Sequence, residues 1–151
     1  MKITNIVLLL LGMVVLNSCK QDNWLDWKTQ NELWLAENAK KEGVKTTHTG
    51  LQYKCIVPGE PNTPRVDDAK MVTINYSGKL INGHEFDANE KYSDFVNVFV
   101  PGFTEGLKLM KEFGIYEFYI PYDLAYGEHG APGAIPPYAA LTFVVELIEV
   151  L

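Results

Sequence analysis

Residues 71–87 read MVTINYSGKLINGHEFD, an alternating apolar and polar stretch with a turn in its middle. Apolar side chains recur at every second position from Val72 to Tyr76, and this period of two predicts a strand with one buried face. Asn82-Gly83 then offers a two-residue hairpin turn, because both residues tolerate positive φ. The residues after the turn return as a second strand, so the stretch predicts an antiparallel β-hairpin.

The rest of the chain supplies further strands and one internal helix. A short helix is expected at residues 105–112, with Thr104 as its N-cap. Residues 127–137 contain three Pro and three Gly and form a loop. Five or six strands and one internal helix, joined mostly by short turns, favour the α+β class. Alternating or apolar runs predict these additional strands at residues 51–57, 95–100, 115–120 and 141–151.

An N-terminal helix is predicted from the spacing of the tryptophans. Trp24, Trp27 and Trp34 lie at offsets of three and seven, which is helical spacing for an apolar stripe, and Gly43 ends the helix. We interpret the stripe as a face that packs on the following domain. Self-association or a client-binding face is the alternative interpretation.

The first twenty residues have the pattern of an export signal. One positive charge precedes an apolar run at residues 6–16, about 16 Å long as a helix, which is short for a membrane span but typical of a signal peptide. Leu16-Asn17-Ser18-Cys19 resembles a bacterial lipobox, whose cysteine receives a diacylglycerol group. We therefore expect a lipoprotein signal peptide at residues 1–18 and lipidation of Cys19. Ordinary secretion is the alternative.

Cysteine usage agrees with this expectation. The chain has two cysteines, and lipidation of Cys19 would leave Cys55 without a disulfide partner. Alternation over residues 51–57 places Cys55 on the same face as Leu51 and Tyr53. We therefore predict that Cys55 is a small buried apolar side chain.

Composition and charge narrow the function further. The chain has 151 residues, of which 47% are hydrophobic and 21% charged, and this suits one domain with a hydrophobic core. The 13 basic and 19 acidic residues give a net charge of −6. Because no basic stripe is present, nucleic acid is not an expected partner.

The residues do not form a motif for metal or covalent chemistry. His48, His84 and His129 lack metal-ligand spacing, and neither a Gly-x-Ser-x-Gly elbow nor a glycine-rich phosphate loop is present. We therefore expect no metal and no cofactor. His129 lies in the loop at residues 127–137, so we expect its side chain to be exposed. Aromatic residues in and beside the turns instead suggest a concave apolar cleft. These aromatic residues are Tyr76, Phe86, Phe99, Phe103, Tyr126 and Tyr138.

Five segments in order resemble the FKBP-type peptidyl-prolyl isomerase family. They are VTINYSGKL (72–80), GHEFD (83–87), PGFTEGL (101–107), IPYDLAYG (120–127) and AIPPYAALTFVVEL (134–147). The match extends from about residue 47 to the C-terminus. The segments ENAKKEGV (37–44) and TGLQY (49–53) also resemble exported bacterial members such as the macrophage infectivity potentiator type.

The resemblance implies a bent antiparallel sheet around a short helix, with a proline-binding cleft between them. It places an isomerase domain at residues 47–151, after a tether and helix at residues 19–46. Asp87 would be the polar group of the cleft, and the Tyr126 hydroxyl and the Val100 N–H would donate to substrate. By motif position the catalytic residues are Tyr76, Phe86, Asp87 and Tyr126, and the substrate-binding residues are Phe99, Val100, Phe103, Ile135 and Phe143.

Two departures from the family pattern lie in this cleft. Phe103 stands where the family usually has a tryptophan, which keeps an aromatic floor but makes it smaller. The stretch between Asp87 and Phe99 is several residues shorter than in well-known members. Phe95 is the nearest counterpart of the family's aromatic residue from that stretch.

The resemblance therefore implies a peptidyl-prolyl cis-trans isomerase that acts on proline-containing exported polypeptides. We expect it to be lipid-anchored through Cys19 in the bacterial cell envelope, at the outer membrane or the periplasmic face. We also expect a monomer, because the N-terminal helix is shorter than the dimerising arm of some exported relatives. A non-catalytic proline-binding or chaperone module is the first alternative, and a structural envelope lipoprotein is the second.

Overall fold

Residues 22–151 are described by the computed structural model. Within this range no helix combines the length and the apolar character needed to cross a membrane. The predicted signal peptide at residues 1–18 and the predicted lipidation site at Cys19 lie outside the described residues. The elements are α1 (Asp22–Asn38), β1 (Val44–Thr46), β2 (Gln52–Val57), β3 (Met71–Leu80), β4 (Glu85–Phe95), α2 (Pro101–Lys108), β5 (Ile115–Ile120) and β6 (Leu141–Val150).

The six strands form one antiparallel sheet in the order β1-β2-β5-β6-β3-β4. β3 and β6 lie side by side along their whole length, from the pair Val72↔Val150 to the pair Leu80↔Leu141. β1 and β4 form the two edges of the sheet. The predicted α+β class, with an internal helix and a preceding N-terminal helix, is confirmed.

α2 lies close against the sheet because Gly106 has no side chain. A Cβ at Gly106 would stand 2.6 Å from the Phe118 ring, which is closer than carbon atoms pack. Phe103 and Leu107 on the same helix are buried against the sheet. The tight approach fixes where α2 begins, and therefore where the residues just before it lie. The other large side chains of the core are Leu51, Val72, Ile74, Val96, Met110, Ile120, Leu141, Val145 and Leu147.

The predicted strand at 95–100 and the predicted bounds of the internal helix are wrong. β4 runs to Phe95, residues 96–98 form a 3-10 turn, and α2 begins at Pro101. Proline suits the first turn of a helix, because its φ is already helical and its missing N–H would have no partner there. The Thr104 hydroxyl does not cap the helix; it donates to the Val96 carbonyl over 2.7 Å.

The β3–β4 hairpin is confirmed, but its loop has three residues rather than two. The Leu80 N–H donates to the His84 carbonyl over 2.9 Å, and the Gly83 N–H donates to the Leu80 carbonyl over 2.9 Å. Gly83 has a φ of 87°, whereas Asn82 keeps a negative φ. This is the pattern of a type I turn followed by one left-handed residue.

Polar contacts attach α1 to the sheet domain. Asn31 is 1% exposed, and its Oδ1 accepts the Ala140 N–H over 2.8 Å. Further along the helix, the Leu35 carbonyl accepts a hydrogen bond from the Nε2 of Gln52, on β2, over 2.9 Å. The Asn38 Nδ2 donates to the Gln52 Oε1 over 2.9 Å. Because each of these bonds is buried or partly buried, α1 is held in one position on the domain.

The tryptophan stripe contributes to the same interface. Trp27 packs against the hydrophobic core, and the Trp34 ring meets the Tyr119 ring with their centroids 5.9 Å apart. Trp24 is 46% exposed. Packing on the following domain is therefore confirmed for Trp27 and Trp34, while Trp24 faces solvent.

Cys55 is exposed, so the prediction of a buried side chain is wrong. Leu51, just before β2, and Gln52 at its start are buried, but exposure increases along the strand, and Ile56 and Val57 are exposed as well. β1 pairs with β2 only as far as Lys54, so the end of β2 lies at an uncovered edge of the sheet. Alternation predicts which side chains share a face of the strand, but it cannot show where the neighbouring strand β1 stops.

Replacing Asn31 with alanine is expected to lower the free energy of unfolding by about 1–3 kcal/mol, because the buried Ala140 N–H would lose its only side-chain acceptor. Urea titration followed by far-UV circular dichroism measures the change. Gln30→Ala, at an exposed position of the same helix, is the matched control and should change stability by less than about 0.5 kcal/mol. Equal effects of the two substitutions would contradict the proposed docking.

Candidate active site

A cavity of about 290 Å³ lies between the β3–β4 hairpin, the start of α2 and the segment after β5. Its wall is mainly aromatic, and Asp87 and three tyrosines supply its polar side-chain groups. The cavity is open to solvent on one side, where Val98 and Tyr126 are 57% and 45% exposed. The lining residues are Tyr76, Phe86, Asp87, Tyr92, Val98, Phe99, Val100, Phe103, Tyr126 and Phe143.

Two irregularities in the β3–β4 pairing turn β4 side chains into this cavity. The first lies at Phe86, where Lys79 pairs with Glu85 but the adjacent Gly78 pairs with Asp87. One extra residue on β4 therefore brings both Phe86 and Asp87 to the wall. A bulge of this kind re-aims side chains without ending the strand.

The second irregularity lies between Asn89 and Tyr92. Tyr76 pairs with Asn89 and Ile74 with Tyr92, so β4 again has one more residue than β3. Lys91 takes a φ of 51°, and its N–H donates to the Asn75 Oδ1 over 2.8 Å. The bulge rephases the strand and turns Tyr92 toward the cavity.

The floor of the cavity is a cluster of aromatic rings around Phe103. Its ring centroid lies 4.9 Å from that of Phe99 and 4.9 Å from that of Phe143. The Tyr76 ring meets it edge-on at 6.1 Å, and the Phe86 ring meets Phe143 at 5.6 Å. Edge-to-face contacts of this kind hold the rings in fixed orientations. Phe103 itself is only 3% exposed, so the floor is continuous with the core.

A short chain of hydrogen bonds ends at Asp87. The Asn89 Nδ2 donates to the Tyr76 hydroxyl over 3.1 Å, and that hydroxyl donates to the Asp87 Oδ2 over 2.8 Å. Burial raises the pKa of Tyr76 above its ordinary value of 10, and the bond to Asp87 adds to the shift. The phenol therefore keeps its proton at neutral pH and orients the carboxylate.

Two of the lining residues carry a hydrogen-bond donor that has no protein acceptor within residues 22–151. The Tyr126 hydroxyl makes no hydrogen bond to any side chain or backbone group within residues 22–151. The Val100 N–H, just before the first turn of α2, has no acceptor in the same part of the chain either. A polar ligand group in the cavity could accept from both.

Eight of the nine site residues predicted from the sequence line this one cavity. Ile135 is the exception: it is 5% exposed, and its N–H and carbonyl bond to Ala131, closing the loop at residues 127–137. Phe95 is 47% exposed and does not line the cavity, so its assignment as the aromatic residue of the short segment is wrong. Tyr92 is the aromatic residue between Asp87 and Phe99 that lines the cavity.

Sequence reasoning missed Tyr92 and Val98. Simple alternation cannot place Tyr92, because the bulge at Lys91 changes the phase of β4 before it. The polar side chain of Asn75, which accepts the Lys91 N–H, is the one local signal of that bulge. Val98 belongs to the segment predicted as a strand and lines the cavity from a 3-10 turn instead.

The arrangement suits binding rather than bond cleavage. Within residues 22–151 no cluster of three or more His, Cys, Asp or Glu side chains is arranged to hold a metal ion. Among the described residues, no Ser, Cys or His lines the cavity. An apolar floor with one carboxylate and two free donors at its edge can hold an apolar ring while contacting the carbonyl groups beside it.

Two family models match the chain. A model described as FKBP-type peptidyl-prolyl cis-trans isomerase matches residues 62–148, and a model described as the domain amino-terminal to FKBP-type peptidyl-prolyl isomerase matches residues 16–55. The first match contains every residue that lines the cavity. The second contains α1 and most of β2.

Curated relatives carry related names. The chain is 46% identical over 127 residues to the probable FKBP-type peptidyl-prolyl cis-trans isomerase FkpA of Neisseria meningitidis serogroup B, over 82% of this chain and 46% of that protein. It is 47% identical over 122 residues to the FKBP-type 22 kDa peptidyl-prolyl cis-trans isomerase of Escherichia coli, over 78% of this chain and 58% of that protein. The chain thus spans about half the length of the curated relatives it matches.

Solved structures have the same fold. The crystal structure of FkpA from Escherichia coli superposes with a TM-score of 0.81 at 38% identity, covering 86% of this chain and 62% of that one. A peptidyl-prolyl cis-trans isomerase from Pseudomonas syringae pv. tomato superposes with a TM-score of 0.78 at 29% identity, covering 83% of this chain and 94% of that one. The second comparison spans nearly the whole of its partner structure.

Proposed function

The chain belongs to the FKBP-type peptidyl-prolyl cis-trans isomerase family, and from this premise we propose that it accelerates cis-trans rotation about Xaa-Pro bonds in exported polypeptides. One observation carries the proposal: Asp87 and Tyr126 line the same aromatic cavity of about 290 Å³. A proline ring fits such an apolar floor, and the carbonyl groups on either side of it fit the polar edge.

The cavity floor acts on the ground state of the reaction. Resonance gives the peptide C–N bond a rotational barrier of about 18–20 kcal/mol. The planar amide is more dipolar than the twisted one, so transfer from water to the aromatic surface around Phe103 disfavours the planar form. Catalysis depends on binding the twisted amide more tightly than the planar one, and this difference in binding free energy lowers the barrier to rotation.

The polar edge acts on the twisted amide. The Tyr126 hydroxyl and the Val100 N–H are fixed donors that can bond to substrate carbonyl oxygens and hold the chain while the bond rotates. When the amide twists, the nitrogen donates less electron density to the carbonyl carbon, which becomes more positive. The Asp87 carboxylate, oriented by Tyr76, can stabilise this positive charge. Rotation breaks no covalent bond, so this mechanism requires neither a nucleophile nor a cofactor.

The proposed location follows from the N-terminal sequence. The apolar run at residues 6–16 and the lipobox ending at Cys19 support export and a lipid anchor in the bacterial cell envelope. An anchor would hold the cavity near newly exported chains, whose Xaa-Pro bonds isomerise in tens to hundreds of seconds without catalysis. We further propose that the protein acts as a monomer and does not bind nucleic acid.

Tyr126→Phe is expected to lower kcat/KM about two- to tenfold, because one neutral hydrogen bond contributes about 0.5–1.5 kcal/mol. The measurement is the cis-to-trans rate of a short Xaa-Pro peptide with the purified protein. The unfolding midpoint should not change, since Tyr126 is exposed and its hydroxyl has no protein partner in residues 22–151.

The same assay separates the isomerase from a binding module. No acceleration by a folded wild-type protein would contradict the proposed function. Binding of the same peptide without acceleration would indicate a proline-binding or chaperone module instead, and the exposed Val98 and Tyr126 at the cavity opening offer such a surface. Under a purely structural role, Tyr126→Phe would change neither binding nor rate.

A further inference from the structure

The segment that carries Tyr126 has a compact backbone between two tyrosines. The Tyr122 carbonyl accepts the Ala125 N–H over 3.0 Å and the Gly127 N–H over 2.8 Å. The Gly127 carbonyl in turn accepts the Tyr138 N–H over 3.1 Å. The backbone of Tyr126 is therefore held from both sides, by Tyr122 before it and by Tyr138 after it.

Both of these tyrosine rings contact one side chain of α1. The Lys28 Nζ lies 5.1 Å from the centroid of the Tyr138 ring and 5.7 Å from that of the Tyr122 ring. The two rings meet edge-on, with their centroids 5.3 Å apart. An ammonium group within about 6 Å of an aromatic face is attracted by the ring's electron density. A single cation therefore joins the two tyrosines that flank Tyr126.

The part of α1 that carries Lys28 is anchored to the sheet domain. Asn31, one turn further along α1, is buried and accepts the Ala140 N–H, two residues beyond Tyr138. Lys28 also lies 3.9 Å from Glu32. Its contact with Tyr122 is the largest cause that raises the pKa of Lys28 above its ordinary value of 10.5, so the ammonium stays charged.

We propose that Lys28 is a positioning residue for the isomerase reaction: from α1, it holds Tyr122 and Tyr138 so that the Tyr126 hydroxyl stays at the edge of the cavity. The proposal rests on the proposed function, since it assigns a role within the same reaction. It also gives the N-terminal helix a part in the chemistry, although α1 contributes no residue to the cavity lining.

The first test compares rates. Lys28→Gln should lower kcat/KM about two- to fivefold, the range that loss of a cation–π contact of about 0.5–1 kcal/mol predicts. Lys28→Arg should keep at least half of the wild-type rate, because guanidinium also stacks on aromatic faces. The matched control is Lys40→Gln, which removes an exposed lysine of the segment after α1 whose ammonium pairs with Glu37, and it should leave the rate unchanged.

The second test asks whether the effect passes through the Tyr126 hydroxyl. In a Tyr126→Phe background, Lys28→Gln should cause no further loss of kcat/KM, because the group that Lys28 positions is already gone. An equal two- to fivefold loss in both backgrounds would overturn the proposal, as would a wild-type rate for Lys28→Gln in the otherwise unchanged protein.

Amide hydrogen exchange gives a measure that does not depend on activity. In Lys28→Gln the amides of Ala125, Gly127 and Tyr138 should exchange faster, while the global unfolding midpoint stays that of the wild type. Unchanged exchange at these amides would overturn the proposal. If the wild type itself shows no isomerase activity, the proposed function fails, and the exchange comparison still decides whether Lys28 holds the segment.

Discussion

Replacing Asp87 with alanine is expected to lower kcat/KM for Xaa-Pro isomerisation about 10- to 100-fold, since a bond or contact to a charged group contributes about 1.5–3 kcal/mol. Asp87 is the only acidic side chain that lines the cavity among the described residues, and the Tyr76 hydroxyl fixes its orientation over 2.8 Å. Its loss removes the negative charge that the twisted amide would meet at the cavity edge.

Stability should change little in this variant. Asp87 is exposed, so its removal opens no cavity in the core, and the Tyr76 hydroxyl keeps its bond from Asn89. We expect the unfolding midpoint of Asp87→Ala to stay within the range of ordinary surface substitutions, about 0.5 kcal/mol. A rate loss without a stability loss would separate a catalytic role from a structural one.

Two further variants sharpen this measurement. Asp87→Asn keeps the size and the acceptor for Tyr76 but removes the charge, so a rate close to that of Asp87→Ala would assign the effect to charge. Glu90→Ala is the matched control, because Glu90 is an exposed acid on the same strand and does not line the cavity. A wild-type rate for Asp87→Ala would contradict the role proposed for this carboxylate.

The sequence predicted the sheet well because most of its strands obey a simple period. β5 is bounded as predicted at residues 115–120, with burial alternating strictly along it. β6 alternates almost as regularly from Leu141 to Val150. Such strands have one face on the core and one toward solvent, so the alternation of apolar and polar side chains predicts both the strand and its buried face.

Where the prediction failed, the backbone departs from a regular period. The bulges at Phe86 and Lys91 twice change the phase of β4, so that Tyr92 faces the cavity and Phe95 faces solvent. In place of the strand predicted at residues 95–100, a 3-10 turn forms at residues 96–98 and α2 begins at Pro101. Both errors concern the residues that shape the cavity, which agrees with the frequent occurrence of bulges and irregular turns beside functional sites.

Most of the site residues were predicted from the resemblance to the family rather than from periodicity. The eight predicted residues that line the cavity come from five separate parts of the chain, and no pattern within one of these parts could show that Asp87 and Tyr126 line the same cavity. Ile135 shows where prediction from motif position fails. Its motif position was matched, but in this chain it closes the loop with Ala131 and does not reach the cavity wall.

Replacing Phe103 with alanine is expected to have the largest effect on stability, a loss of about 3–5 kcal/mol in the free energy of unfolding. Phe103 is 3% exposed, and its ring contacts those of Phe99, Phe118 and Phe143. Removing it leaves a void that the packed rings cannot close. Urea titration gives the change, and Phe95→Ala, at an exposed phenylalanine, should cost less than about 1 kcal/mol as the control.

The isomerase activity of Phe103→Ala should be lost together with stability, because the same ring is both core and cavity floor. Phe103→Leu separates the two functions: it refills much of the void and should recover at least half of the lost stability, but it removes the aromatic face. If the floor acts through its ring, the folded Phe103→Leu protein should lose kcat/KM by about tenfold or more, equivalent to about 1.4 kcal/mol. A wild-type rate for this variant would mean that the floor supplies only an apolar surface, and that the polar edge at Asp87 and Tyr126 carries the catalysis.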